Sequence, residues 1–111
     1  MTLADTSVWV DHFRHGNTRL QRLLDAGEVA THTMVIGELA CGSLHRRAIT
    51  LALLGNLPRI SSAPDEIVME AIEKQRLWSR GLGWIDLHLL VAARISGVEL
   101  WTLDRRLALL V

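Results

Sequence analysis

The sequence is poor in cysteine, proline and lysine, and it has no long uninterrupted run of apolar residues. Its single cysteine, Cys41, excludes a disulfide framework and a zinc site built from several cysteines, and it is typical of a protein of the reducing cytoplasm. No stretch approaches the roughly 18 consecutive apolar residues of a membrane-spanning helix. The first residues have no basic region and are interrupted by Asp5, so a secretory signal peptide is not expected.

Lysine is nearly absent, since Lys74 is the one lysine among 12 basic residues and the others are arginine. The planar guanidinium of arginine binds two phosphate oxygens at once, but a biased genomic base composition explains the same excess. The excess therefore decides nothing about function by itself. The basic residues balance 12 acidic ones, and 50% of the residues are hydrophobic, which indicates a folded globular protein. A length of 111 residues predicts one domain, residues 1–111.

Strand patterns alternate with helix patterns along the chain. Short apolar runs predict strands in TLAD, VATHT and VELWTLD, with a further short strand in RIS. Caps and apolar periodicity predict helices in SVWVDHFRHG, NTRLQRLLDAGE, MVIGELACGSLHRR, AITLALLGNLP, residues 65–79 and IDLHLLVAARISG, with Asn17, Thr33 and Ser62 at helix starts. This alternation predicts an α/β fold, with a central parallel sheet flanked by helices.

Four acidic residues lie in apolar sequence at corresponding places of this architecture. Asp5 and Asp104 end the first and last predicted strands. Glu38 lies in the second turn of the helix after VATHT, and Asp86 opens the helix after GLGW. Ligand sites of parallel sheets form at the carboxyl ends of the strands, so the four side chains are expected at one edge. Carboxylates that share a site of low dielectric need a counter-charge, and oxygen ligands favour Mg²⁺ or Mn²⁺.

Each acid also has a simpler interpretation when it is taken alone. Asp5, Asp86 and Asp104 are each suited to capping a helix, and Glu38 is suited to an ion pair on a helix face. One metal site nevertheless explains four coincident positions better than separate caps do. A bound divalent cation activates water and stabilises charge on a phosphoryl group, so the pattern indicates metal-dependent phosphoryl chemistry.

Four segments resemble, in order and approximate spacing, the acidic motifs of PIN-domain proteins, and in particular those of the VapC toxins of bacterial VapBC toxin–antitoxin pairs. The segments are LADTSVWVD, IGELACG, GWIDLHLLVAA and LWTLDRRL. The resemblance covers about residues 2 to 107. Family members commonly continue past the last motif with a helix and a short strand, whereas this sequence stops at RRLALLV, which leaves the extent of the sheet open.

The resemblance implies a metal-dependent endoribonuclease that hydrolyses RNA phosphodiesters with a metal-activated water. It assigns the acidic quartet to Asp5, Glu38, Asp86 and Asp104, and a supporting role to the Thr102 hydroxyl. It also implies a cytoplasmic homodimer that is held inactive by a cognate VapB-type antitoxin. The long apolar stretches AITLALLGNLP and LHLLVAARI agree with this, because a small domain leaves part of such surface exposed for partners.

The basic and aromatic residues near these motifs each have two interpretations. Arg105 and Arg106 either form a charge pair on a helix face, or screen the cluster of acids, or contact substrate phosphates. His88 is expected in the core or at an interface, because its spacing from Asp86 directs it elsewhere on the helix. The four tryptophans are expected as core and interface anchors, with Trp84 the best placed for base stacking.

Two other classes of function are weighed against the ribonuclease. One is another Mg²⁺-dependent phosphoryl-transfer protein, but a phosphatase pattern needs a second aspartate where Ser7 stands. A receiver domain needs a lysine near the end of a late strand, and Lys74 lies within a predicted helix. The other is a catalytically silent binding module of the same fold, which has no reason to keep a costly set of acids in apolar surroundings.

Overall fold

The computed structural model describes residues 1–111, and at its centre lies a three-stranded parallel sheet. The strands are β1 (Thr2–Ala4), β2 (Val29–Ala30) and β3 (Glu99–Trp101). Their order is β2-β1-β3, with Thr2 opposite both Val29 and Glu99. The predicted strand in RIS is absent, since Arg59 makes only an isolated bridge with Thr31. The first strand of the chain is therefore the central one, and its carboxyl end lies in the middle of the sheet edge.

Helices fill the connections between the strands. They are α1 (Thr6–His15), α2 (Thr18–Asp25), α3 (Thr33–Cys41), α4 (Arg47–Gly55), α5 (Asp65–Gln75), α6 (Trp84–Ser96) and α7 (Arg105–Ala108). Parallel neighbours require such crossover connections, so the observed order confirms the predicted α/β fold. None of these helices has both the length and the apolar composition needed to cross a membrane.

The hydrophobic core lies between the sheet and the helices. β1 is buried along its whole length, and α6 is buried from Leu87 to Ala93, as expected for a helix that is apolar on nearly all sides. α6 packs against both α5 and β3. A buried strand and a buried helix fix the residues at their ends, and these ends carry Asp5 and Asp86.

Two of the three predicted helix starts differ from the observed ones. Asn17 caps α2 as predicted, since its Oδ1 accepts a hydrogen bond from the Leu20 N–H at 2.9 Å. The cap of α3 is His32 rather than Thr33. α5 follows Pro64 without a side-chain cap, so the predicted capping box at Ser62 is wrong. Cap preferences favour small hydroxyl, amide and carboxylate side chains, and they overlook a buried imidazole.

Two helices end at least four residues earlier than predicted. α3 ends at Cys41 and is closed by Gly42, so the segment that follows is a separate connection to α4. α5 ends at Gln75, because Arg76 adopts a left-handed conformation with φ of 53° that a helix cannot continue. In the exposed part of α5, Glu70 and Lys74 form an ion pair, with 2.6 Å between oxygen and nitrogen.

Candidate active site

Asp5 follows the last residue of β1 and lies at the centre of the carboxyl edge of the sheet. It is 5% exposed, and its N–H donates to the Trp101 carbonyl of β3 at 3.0 Å. It also caps α1, since Oδ1 accepts a hydrogen bond from the Val8 N–H at 3.2 Å. The central strand and the first helix thus hold one buried carboxylate from both sides.

Two hydroxyl groups donate hydrogen bonds to this carboxylate. Ser7 Oγ donates to Asp5 Oδ1 at 2.5 Å, and Thr102 Oγ1 donates to Asp5 Oδ2. The hydroxyls are themselves fixed by the chain after β3, since Ser7 Oγ accepts from the Leu103 N–H and Thr102 Oγ1 from the Asp104 N–H. No basic side chain forms an ion pair with Asp5. A buried carboxylate with hydroxyl donors and no cationic side chain is well suited to a bound cation.

Asp104 lies close to Asp5 along the chain that leaves β3. It caps α7, with Oδ1 accepting hydrogen bonds from the Arg106 and Leu107 N–H groups at 2.9 and 3.1 Å. Its other oxygen takes no part in this cap. Asp104 therefore serves as a helix cap with one oxygen and has a second oxygen available for another partner.

Asp86 is the third residue of α6 and is half-buried. Its Oδ2 accepts a hydrogen bond from the Gly83 N–H at 2.9 Å, which fixes the start of the helix. As in Asp104, this contact engages one oxygen of the carboxylate. Asp104 is thus a helix cap, as expected, whereas the cap of α6 is Gly83 and Asp86 accepts the N–H of that residue from the first turn. In both aspartates one carboxylate oxygen stays free.

Glu38 lies on the exposed side of α3, where it meets the start of α1. Its Oε1 accepts a hydrogen bond from Thr6 Oγ1 at 2.7 Å. Because Thr6 directly follows Asp5, this contact brings Glu38 to the same edge of the sheet. The sequence did not single out Thr6 or Ser7, although both stand beside Asp5 in the motif LADTS.

The acids share one edge, but they are not gathered around one point. No three or more His, Cys, Asp or Glu side chains form a group that could hold a metal ion together. The predicted convergence of Asp5, Glu38, Asp86 and Asp104 on a common ion therefore stays a prediction. Like charges repel, and each carboxylate instead accepts hydrogen bonds from a nearby N–H or hydroxyl group. The donor set itself, made only of oxygen atoms, fits Mg²⁺ or Mn²⁺.

Arg106 holds α7 against the loop that precedes α6. Its Nη1 donates to the Gly81 carbonyl at 3.3 Å. Gly81 has φ of 74°, and a Cβ at this position would lie 2.5 Å from Arg106 Nη1. Since Asp104 caps α7 and Asp86 lies in the first turn of α6, this contact links the elements that carry the two acids. Arg106 thus has a structural role, whereas Arg105 is simply exposed.

The aromatic residues near the site are packed against protein. His88 is buried in α6, as expected, and its ring lies 4.4 Å from that of Trp84 in an edge-on arrangement. Trp84 is 40% exposed, so part of its ring is accessible beside the start of α6. His12 accepts a hydrogen bond from the Asn17 N–H through Nδ1 at 3.1 Å and so stabilises the turn between α1 and α2.

Comparison with known proteins agrees with this architecture. The family model of the PIN domain matches residues 2–110. Ribonuclease VapC32 of Mycobacterium tuberculosis is 44% identical over 108 residues, which are 96% of this chain and 87% of that protein.

Two solved structures share the fold at low sequence identity. PAE2754 from Pyrobaculum aerophilum superposes with a TM-score of 0.69 and 21% identity, over 98% of this chain and 83% of that one. VapC20 of Mycobacterium tuberculosis, a toxin that cleaves the sarcin–ricin loop, superposes with a TM-score of 0.68 and 22% identity, over 98% of this chain and 94% of that one. The family match and the 44% identical relative together show that the chain belongs to the PIN-domain family, among ribonucleases of the VapC type.

Proposed function

We propose that the protein is a metal-dependent endoribonuclease and the toxin of a type II toxin–antitoxin pair. The observation that carries this proposal is Asp5, a buried carboxylate at the carboxyl end of the central strand, held by two hydroxyls and lacking a basic partner. The relative with 44% identity is named a ribonuclease, and VapC20 is named a toxin that cleaves RNA of the sarcin–ricin loop. With RNA as the substrate, the activity belongs in the cytoplasm.

Asp5, Glu38, Asp86 and Asp104 would hold the cation through their carboxylate oxygens. In Asp86 and Asp104 the contact at the helix start leaves one of the two oxygens free. Mg²⁺ or Mn²⁺ suits this oxygen-only set better than zinc does. When bound, the cation would act as a Lewis acid. It would lower the pKa of the attacking water and stabilise charge on the phosphoryl group. Thr102 fixes Asp5 through its hydroxyl, which keeps the central ligand in one position.

Asp86→Asn tests this assignment because the amide oxygen can still accept the Gly83 N–H. The variant keeps the helix cap and loses the charge. We expect RNA cleavage to fall by about 100-fold or more, since a direct ligand matters at least as much as the groups that support it. The melting temperature should be unchanged or higher, because one repulsive charge has been removed.

The measurement is cleavage of a labelled RNA with increasing Mg²⁺ or Mn²⁺, and with a chelator. Asp25→Asn is the matched control, since Asp25 lies on α2 and contacts only Gln21, at 2.9 Å, so its activity should be normal. An Asp86→Asn protein with near-normal metal-dependent cleavage would show that Asp86 is a helix cap only. If the unaltered protein still cleaves RNA in the presence of the chelator, the activity does not require a metal ion.

The exposed apolar surface is the observation that supports a proposal of two protein partners, an antitoxin and a second copy of the chain. An apolar groove between α1, α2 and α4 has a volume of about 320 Å³. It is lined by Trp9, His12, Phe13, Leu24, Thr50, Leu53, Leu54 and Leu57. We propose that an amphipathic segment of a VapB-type antitoxin occupies this apolar groove, and that a basic side chain of the segment reaches the acids. Other exposed apolar side chains, including Ile95 at 65% and Trp78 at 52%, would be covered in a two-fold homodimer.

A further inference from the structure

Two neighbouring grooves meet beside Arg14, near the end of α1. The first, of about 330 Å³, contains Thr6 and Glu38 of the candidate site and extends to Arg14 and Ser43. The second, of about 570 Å³, continues from Arg14 and Ser43 to Arg46. Because they share lining residues, the two form one continuous depression, which we call the basic channel. It leads from Glu38 to the start of α4.

Apart from Glu38 of the candidate site, the charged side chains that line the basic channel are positive. Glu38 is the single acidic residue in its lining. Arg14 and Arg46 are exposed, and neither forms an ion pair. Arg47, by contrast, is engaged within the protein, where it donates to the Ala40 carbonyl at 2.7 Å. The channel thus has two uncompensated guanidinium groups, which suit an anionic ligand.

Besides apolar side chains such as Ile49 and Leu53, the lining has groups that suit a nucleic acid strand. Ser43 contributes a hydroxyl group, which commonly contacts phosphate and sugar oxygens, whereas the Thr50 hydroxyl donates to the His45 carbonyl at 3.0 Å. Phe13, 43% exposed, has an accessible ring on which an unpaired base can stack. Arg14 and Arg46 would attract the phosphates of such a strand.

We propose that the basic channel binds the backbone of the RNA strand on one side of the scissile phosphate. Arg14 would contact a phosphate near the acids, and Arg46 would contact one farther along the same strand. This inference rests on the proposed ribonuclease function and adds to it the path by which the substrate leaves the site. The two arginines bind and position the strand and take no part in bond cleavage.

Arg14→Gln and Arg46→Gln test the channel by removing one positive charge each. Both are combined with Asp86→Asn, so that RNA is bound without being cleaved, and the affinity for a fluorescent single-stranded RNA is measured at several salt concentrations. Each variant should weaken binding by about fivefold, the effect of one exposed ion pair. The slope of log affinity against log salt should become shallower by about 0.7 per lost phosphate contact.

Arg22→Gln is the matched control, because Arg22 is exposed on α2 and lies outside the channel. It should bind RNA as the parent protein does. Arg14→Lys and Arg46→Lys keep the charge and should recover most of the binding, which separates a lost contact from a folding defect. In otherwise unaltered protein, Arg14→Gln and Arg46→Gln should raise KM more than they lower kcat.

The outcomes distinguish the channel from the function on which it rests. Absence of metal-dependent RNA cleavage by the unaltered protein would overturn the ribonuclease proposal. Normal cleavage, together with Arg14→Gln and Arg46→Gln variants that bind RNA no worse than Arg22→Gln, would overturn the channel alone. Normal RNA binding with weakened inhibition by the antitoxin would instead assign the channel to a protein partner.

Discussion

His32 is fully buried, and its two ring nitrogens have different partners. Nδ1 accepts a hydrogen bond from the Met34 N–H at 3.0 Å, so the ring proton lies on Nε2, which is 3.2 Å from Ser62 Oγ. Burial lowers the pKa of His32 below its ordinary value, and electrostatic interaction with His88 and Arg59 lowers it further. The fold therefore requires a neutral imidazole at the start of α3.

A lowered pKa predicts a pH dependence of stability. The unfolded chain binds this proton more readily than the folded protein does, so the contribution of neutral His32 is complete above pH 6.5 and is lost as the pH falls below that value. We expect the free energy of unfolding, measured by urea denaturation from about pH 7.5 to about pH 5, to decrease. His32→Asn keeps a cap acceptor that does not titrate, so its stability should fall less over the same range. If the stability of His32→Asn falls with pH as steeply as that of the unaltered protein, the pH dependence comes from another group.

The positions of the four acids could be predicted from the sequence, but their hydrogen bonds could not. Asp5 and Asp104 follow apolar strands, and Asp86 opens an apolar helix, so local pattern is enough to place them at one edge. The partners of Asp5 come from Ser7 and from Thr102, which is 97 residues away along the chain. Such contacts depend on how β1 and β3 align, which periodicity does not reveal.

At the scale of elements, the strongest signals were the uninterrupted apolar ones. β1 and α6 follow directly from such runs, because they have no polar face to obscure the pattern, whereas β3 has the exposed Glu99 beside the buried Leu100. The weaker predictions failed where a single residue decided the boundary. Arg76 ends α5 by adopting a left-handed conformation that is rare for arginine, and no sequence rule anticipates it. The strand expected in RIS is only one bridge, since Thr31 and Arg59 pair alone.

The contact between α7 and the loop before α6 makes a prediction for Arg106. Arg106→Ala removes the hydrogen bond to the Gly81 carbonyl and loosens the two elements that carry Asp104 and Asp86. We expect the Mg²⁺ concentration for half-maximal cleavage to rise about 10-fold, as for other groups that orient ligands. Arg105→Ala, at the exposed neighbouring position, is the control. It should reach half-maximal cleavage at the same Mg²⁺ concentration as the unaltered protein.

Gly81→Ala tests the same contact from the other side. A side chain at φ of 74° is disfavoured, and its Cβ would also displace the Arg106 guanidinium. The expected loss of stability is about 1–2 kcal/mol. Unchanged metal dependence in both Arg106→Ala and Gly81→Ala would show that the acids are positioned without this contact.

Across the whole molecule, the apolar groove and the basic channel are adjacent and share residues. His12, Phe13, Thr50 and Leu53 line both. An antitoxin segment in the apolar groove would therefore end beside the proposed RNA path. Inhibition could then combine a basic side chain at the acids with obstruction of the strand.

Leu53→Glu tests occupation of the apolar groove, because Leu53 is 64% exposed and its replacement should not disturb the core. We expect the antitoxin concentration for half-inhibition, normalised to the activity of each free variant, to rise by at least about fivefold. Ala52→Glu is the control, since it adds the same charge to an exposed position of α4 outside the groove. Equal inhibition of both variants would place the antitoxin elsewhere. Light scattering of the same samples measures whether the 12.4 kDa chain forms the proposed homodimer.

α1 is one continuous helix that connects Asp5 to both the apolar groove and the basic channel. Its cap is Asp5, and Arg14 stands nine residues later in the same helix, about 13 Å along the axis at 1.5 Å per residue. If Arg14 binds one phosphate while the acids act on another, the length of α1 fixes the distance between these two phosphates. A residue inserted into α1 would move Arg14 by about 1.5 Å along the axis and turn it by about 100°, which would take its side chain out of the basic channel and remove the phosphate contact.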